Sequence, residues 1–205
     1  MSARAPRRRE PQQDRSRRMV ERIVAAGREV LVTRGYDGAS TNRIAATAGI
    51  SPGSLYQYFP DKGAVVSAVI DRYLDELEAR VSRAFVEALP DRDTADAVRT
   101  TVEALLDAIG EQPDLHRVIA EQLPRTGAGR RVAFARRIDE LTAVALLGRG
   151  VPAERARVTA WTVVRTVEAV TTGFVLEEPG FERAAVIDEL TRLVVTHLDG
   201  AVHPG

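Results

Sequence analysis

The sequence predicts an all-α fold of about nine helices. Along most of the chain, apolar residues recur every three or four positions, which is the spacing of one helix face. Glycine and proline interrupt this pattern at intervals that suit single helices, and no segment alternates long enough to indicate a strand. The chain has 205 residues, of which 44% are hydrophobic. It can therefore bury a core in one or two domains.

The first 14 residues are polar and rich in arginine, and they show no apolar periodicity. This composition predicts a flexible arm over 1–14. Its basic cluster, Arg7–Arg9, is either a solvated tail or an arm that touches the minor groove of DNA. A first helix is expected to begin near Asp14–Ser16, because both residue types cap helices, and to stop at Gly35.

Two short helices follow, and the turn between them contains glycine. The first is predicted over 42–48, after a serine–threonine pair that can cap it, and Gly49 breaks it. Ser51 can cap the second, over 52–58, and Pro52 takes its first position, where a missing N–H costs nothing. With the long helix before them, these segments predict a helix-turn-helix.

The chain is thus expected to carry a helix-turn-helix domain over 15–62 and a second helical domain over 63–205. The second domain accounts for the remaining six helices. These are predicted at 62–89, 94–110, 113–123, 130–148, 152–176 and 181–198.

The charge is unevenly distributed, although the formal net charge is zero. Residues 1–62 hold 12 basic and 6 acidic residues, and the rest of the chain holds 17 basic and 23 acidic residues. Such asymmetry indicates either a nucleic-acid-binding head on an acidic body, or an arginine-rich tail beside ordinary surface charge.

Several classes of protein are excluded or disfavoured. The chain has no cysteine, which excludes disulfides, thiolate metal sites and a cysteine nucleophile. Neither an apolar run of about 18 residues nor a secretory signal is visible. The three histidines are far apart, and no common catalytic or phosphate-binding motif occurs. We therefore predict a cytoplasmic protein that is not an enzyme and that needs no metal or cofactor.

One stretch resembles a known family. The sequence STNRIAATAGISPGSLYQYFPDKG, Ser40 to Gly63, is similar to the DNA-binding signature of the TetR family of transcriptional repressors. Gly63 departs from the pattern, since a glutamate often follows the lysine. The matching positions are Thr41, Ile44, Ala45, Ala48, Gly49, Ser51, Gly53, Leu55, Tyr56, Tyr58, Phe59 and Lys62.

The resemblance implies that this stretch binds double-stranded DNA. Ile44, Leu55 and Phe59 are expected in the core, and Tyr56 is either a contact or a core residue. Gly53 and Ser54 are small enough for close approach to the major groove, whereas Pro52 can make only apolar contacts with bases. The expected DNA-binding residues are Thr41, Asn42, Arg43, Ser51, Pro52, Gly53, Ser54, Tyr56, Gln57, Tyr58 and Lys62.

The resemblance also implies a small-molecule effector that binds in the second domain. The function expected is that of a repressor which the effector releases from a palindromic operator. The alternative is a helical structural or adaptor dimer without a specific DNA target. Each ligand candidate is otherwise an ordinary core or surface residue, and Arg165 and Glu168 can simply pair with each other. The candidates are His116, Gln122, Phe134, Trp161, Arg165, Glu168 and Thr171.

The last two predicted helices are apolar over more than one stripe. A helix of this kind must be buried on more than one side. We therefore expect a twofold homodimer with a four-helix interface, although the same residues would also suit the protomer's own core. The expected interface residues are Val163, Val167, Val170, Phe174, Val186, Leu190, Val194 and Leu198.

Overall fold

The structure, a computed structural model, describes residues 10–88, 93–126 and 128–202, without the side chains of 10–12, 122–126, 128–132 and 134. Over these ranges the chain forms nine α-helices and no strand, which confirms the predicted fold class. The helices are α1 (Glu10–Gly38), α2 (Thr41–Thr47), α3 (Pro52–Tyr56), α4 (Lys62–Ala88), α5 (Thr94–Gly110), α6 (Pro113–Thr126), α7 (Ala128–Gly148), α8 (Ala153–Glu177) and α9 (Arg183–Val202).

The N-terminal helix differs from the prediction at both ends. Residues 10–14, expected in a flexible arm, are the first turn of α1, while 1–9, with the basic cluster, lie outside the described residues. Gly35 does break the helix, with φ 66° and ψ 180°, but the chain resumes helical geometry to Gly38. A positive φ suits glycine because it has no Cβ to clash with its own carbonyl.

The described residues divide into two compact units, of which the first comprises 10–72 and 118–126. In this unit α1 packs on α2, and α2 packs on α3. Gly27 of α1 lies so close to α4 that an added Cβ would come within 2.8 Å of Val65 Cγ1. The fully buried large side chains of this unit are Ile23, Leu31, Ile44, Leu55, Val65, Val66, Val69, Ile70 and Ile119.

The second unit comprises the described residues of 73–117 and 128–202. Here α5 packs on α9 and α8, and α8 also packs on α7 and α9. Its core consists of Val102, Leu106, Leu146, Val151, Ala156, Val163, Ile187, Leu190, Val194 and Leu198. Both α4 and α6 contribute residues to each unit. Within the described residues, no helix has the length and apolar character that a membrane crossing requires.

Candidate nucleic-acid interface

The helix-turn-helix is held together by caps and by a small core. Ser40 Oγ accepts from the Arg43 amide at 3.3 Å, and Ser51 Oγ accepts from the Ser54 amide at 3.1 Å. Each serine thereby satisfies an amide that its helix leaves without a partner. Buried side chains of α2, of α3 and of the residues that follow each helix join the two helices. These are Ile44, Ala45, Ala48, Leu55 and Phe59.

The predicted DNA-binding residues all keep some exposure to solvent. None of them is buried, whereas the residues between them that were expected in the core are buried. The exposed members are Asn42, Arg43, Ser51, Pro52, Gly53, Tyr56 and Gln57, and the partly exposed members are Thr41, Ser54, Tyr58 and Lys62. The helical spacing therefore separates a buried face from an outward polar face.

Tyr56 connects the two short helices on this outward face. Its side chain is 53% exposed, so Tyr56 is not a core residue. The Tyr56 hydroxyl lies 3.1 Å from Thr41 Oγ1 at the start of α2. Two hydroxyls so placed, beside the amides at the N-terminus of α2, form a local arrangement that suits one phosphate oxygen.

Gly53 is not explained by packing within the chain. An added Cβ would meet nothing closer than Ser51 Oγ at 3.9 Å, and the backbone φ is not positive. A helical glycine costs up to about 1 kcal/mol relative to alanine. The fold therefore has room for a side chain at this exposed position, and the absence of one favours close approach of a partner.

Two of the predicted DNA-binding residues, Lys62 and Arg43, already make hydrogen bonds within the first unit. Lys62 Nζ donates to the Tyr36 carbonyl at 3.1 Å and lies 4.0 Å from the centre of the Tyr36 ring. Arg43 Nη1 donates to the Gly38 carbonyl. The sequence did not reveal the Lys62 contact, because Tyr36 lies 26 residues before it. The Arg43 contact is local, since Gly38 lies only five residues before it. An ammonium has three donors, so Lys62 can still donate to a phosphate.

The comparison with known proteins agrees with this geometry. Residues 23–69 match the family described as bacterial regulatory proteins of the tetR family, and 93–198 match the tetracyclin repressor-like C-terminal domain. The chain belongs to the TetR family. The resemblance inferred from the stretch at 40–63 is thus confirmed, and the family extends over the second unit as well.

Two curated relatives of this TetR-family chain come from Mycolicibacterium smegmatis. The HTH-type transcriptional activator FasR is 32% identical over 142 residues, which cover 67% of this chain and 64% of FasR. The HTH-type transcriptional regulator EthR is 32% identical over 101 residues, covering 49% and 46%. This chain thus spans less than two thirds of either relative. A solved regulator from Rhodococcus sp. Rha1 superposes with a TM-score of 0.73 at 23% identity, covering 90% of this chain and 98% of that one.

Of the predicted ligand residues of this TetR-family chain, the structure describes the side chains of His116, Trp161, Arg165, Glu168 and Thr171. Trp161 is 58% exposed. Ten residues further along α8, about 15 Å away, Thr171 is fully buried and donates to the Val167 carbonyl at 2.7 Å. Arg165 pairs with Glu168 at 2.8 Å, as the spacing allowed, and also with a residue of α7. The side chains of Gln122 and Phe134 lie outside the described residues.

His116 is buried, and its Nδ1 lies 2.7 Å from the Tyr73 hydroxyl. Tyr73 in turn lines a cavity of about 280 Å³ at the junction of α4 and α5. The sequence singled out the histidine but missed the cavity, because its walls come from segments about 30 residues apart. The other lining residues are Glu76, Leu77, Ala79, Arg80, Ala108, Glu111 and Gln112.

The predicted interface stripe of α9 faces inward. Leu190, Val194 and Leu198 are at most 7% exposed and pack in the core of the second unit, as does Val163 of α8. Within the protomer, α5 and α8 cover the α9 face that carries Leu190, Val194 and Leu198. Val167, Phe174 and Val186 are partly exposed, and Val170 is 39% exposed.

A different face of α8 and α9 is open to solvent. Val158 and Leu193 are 62% and 50% exposed. Leu193 lines a groove of about 700 Å³ between the two helices, together with threonines and small residues. The lining residues of the groove are Arg155, Thr159, Thr162, Val163, Thr166, Glu189, Arg192, Leu193, Thr196, His197, Gly200 and Ala201.

Proposed function

We propose that this chain is a transcriptional regulator that binds double-stranded DNA through α2 and α3. The observation that carries the proposal is the outward face of the helix-turn-helix, on which Gly53 leaves open space that the fold does not need. Small and hydrogen-bonding side chains surround it, as expected of a surface that approaches base edges in the major groove.

A second proposal concerns the direction of regulation. We propose a repressor that a small molecule releases from a palindromic operator, in the cytoplasm and without enzymatic activity. FasR carries the name of an activator, so the direction must be measured. A reporter gene behind the selected operator distinguishes the two, because deletion of the regulator raises expression only under repression.

The cavity at Tyr73 is the proposed effector site. Its volume of about 280 Å³ is at the small end of ligand pockets, which suits a small ligand. Ala79 lines this cavity and is exposed, so Ala79→Trp can fill it without entering the core. Ligands that raise the melting temperature of the wild type should not raise that of Ala79→Trp. They should still raise that of Val86→Trp, a control at a 51% exposed position of the same helix.

The homodimer is proposed to form through the open groove of α8 and α9 and not through the buried stripe. Two recognition helices are needed because one reads only a few base pairs. Two copies related by a twofold axis would present them about 34–36 Å apart, or a multiple of that distance. The same symmetry requires that the groove be self-complementary.

The test of DNA recognition is selection of duplexes from a random library by the full-length protein. The selected duplex should bind more tightly than a scrambled duplex of the same composition. Lys62→Ala should weaken binding to both duplexes and lower the slope of log affinity against log salt concentration by about 1. Gly53→Glu should abolish the preference, since its carboxylate would meet phosphates. An unchanged preference in Gly53→Glu, or no enrichment at all, would favour an adaptor without a DNA target.

A further inference from the structure

Arg22, an exposed residue of α1, makes a contact with the turn of the helix-turn-helix. Its Nη2 donates to the Gly49 carbonyl at 3.2 Å, across 27 residues of sequence. The guanidinium lies directly over Gly49, since a Cβ added there would come within 2.8 Å of Nη2. Arg22 lies one residue before the segment that matches the tetR family, 23–69.

The turn that Arg22 contacts determines how α3 leaves α2. The Gly49 amide donates to the Ala46 carbonyl and the Ile50 amide donates to the Ala45 carbonyl, both at 3.0 Å. Gly49 has a φ of 63°. This is a Schellman motif, in which the glycine satisfies the last carbonyls of the helix and reverses the chain. The orientation of α3 thus depends on the backbone conformation at Gly49.

The Gly49 carbonyl takes no part in the two hydrogen bonds of the motif, and it accepts from Arg22 Nη2. The guanidinium also places a positive charge at the C-terminal end of α2, where the partial charge of the helix is negative. Both interactions favour the observed conformation of the turn. Since α3 contributes only the buried Leu55 from its own length to the core, contacts from outside this helix, of which this is one, help to fix its orientation.

We infer that Arg22 is a positioning residue for the recognition helix α3, acting through the carbonyl of Gly49. The inference rests on the proposed DNA-binding function. A simpler role for an exposed arginine in a basic domain would be contact with a DNA phosphate, and the inference differs from that role. A positioning residue affects the discrimination between sequences, whereas a phosphate contact affects affinity for all of them.

The experiment compares full-length Arg22→Met with Arg18→Met, which removes the same charge one turn earlier on the same exposed stretch of α1. Binding is measured at several salt concentrations to the duplex selected by the wild type and to its scrambled counterpart. Both variants should bind the scrambled duplex more weakly than the wild type by the same factor. The dependence of their affinity on salt concentration should also be the same. Arg22→Met should bind the selected duplex about a further fivefold more weakly, the amount expected from one solvent-exposed hydrogen bond of ordinary strength.

Arg22→Lys should recover part of this loss because it retains the charge and a donor. Amide hydrogen exchange without DNA provides an independent measure: the amides of Gly49 and Ile50 should exchange faster in Arg22→Met than in Arg18→Met. Equal exchange in the two variants overturns the inference. So does a salt slope that falls by about 1 only in Arg22→Met, which would make Arg22 a phosphate contact.

The proposed function fails separately. If the wild type binds the selected and scrambled duplexes equally, sequence-specific DNA recognition is contradicted. The proposed role of Arg22 in that recognition is then contradicted as well. If the wild type discriminates and Arg22→Met discriminates as well as Arg18→Met, only the inference about Arg22 is overturned.

Discussion

At the scale of single residues, Gly27 and Gly53 show two different reasons for a glycine in a helix. Both lie in the first unit. Gly27 is buried where α1 meets α4, and an added Cβ would lie 2.8 Å from Val65 Cγ1 and 3.2 Å from Val69 Cγ2. Gly53 has open space around it. The first glycine therefore serves packing, and the second serves a partner outside the chain.

This difference predicts opposite effects of the same substitution. Gly27→Ala should lower the free energy of unfolding by about 1–3 kcal/mol, because the new methyl group overpacks the contact. Gly53→Ala should leave it unchanged or raise it by up to about 1 kcal/mol, yet weaken binding to the selected duplex. Denaturant unfolding and duplex binding measure the two quantities. Gly53→Ala with full affinity for the duplex would show that no close approach occurs there.

At the scale of elements, α7 and α8 are joined by an ion pair that is only partly solvated. Arg165 Nη2 lies 3.1 Å from Asp139 Oδ2, and the Asp139 side chain is 19% exposed. Burial raises the pKa of Asp139 above its ordinary value, although the charge of Arg165 acts in the opposite direction. Asp139 thus holds its proton more firmly in the folded chain than in the unfolded chain.

The sign of the stability effect follows from this pKa. Between the ordinary pKa of 3.8 and the raised value, the folded state binds more protons, so the contribution of Asp139 to stability falls as pH rises. Asp139→Asn has no carboxyl group at this position, so its stability lacks this pH-dependent contribution. Its free energy of unfolding relative to the wild type should therefore increase as the pH rises above 3.8 toward the raised pKa. Urea unfolding at a series of pH values tests this, and a difference that decreases with pH contradicts it.

At the scale of the whole molecule, two leucines of α9 distinguish folding from assembly. Leu190 is 3% exposed and Leu193 is 50% exposed, although they are one turn apart. Leu193→Asp should yield a folded monomer of 22.4 kDa that no longer binds the selected duplex. Leu190→Asp should instead unfold the protomer, because it buries an unpaired carboxylate in the core.

Light scattering after size exclusion gives the mass, and circular dichroism reports the fold. If Leu193→Asp remains a dimer, the groove of α8 and α9 is not the interface. If Leu190→Asp gives a folded monomer, the originally predicted stripe takes part in assembly after all.

Much of the architecture could be predicted because helix formation is local. Apolar spacing, caps and breakers act within a few residues, so α5 was predicted with both ends correct and the other helices to within a few residues, apart from the start of α1. The buried positions Ile44 and Leu55 and the exposed positions around Gly53 followed from the same spacing. The family was recognisable because its signature is a continuous stretch of 24 residues.

The tertiary structure decided what depends on contacts between distant segments. Periodicity shows that α9 has apolar faces, but only packing on α5 and α8 shows that Leu190, Val194 and Leu198 are buried within the protomer. Sequence likewise shows that Arg22 is a cation near the helix-turn-helix. Its donation to the Gly49 carbonyl, 27 residues away, exists only because the fold brings α1 to the turn. Local patterns determine which faces a helix has, and the three-dimensional arrangement determines what each face meets.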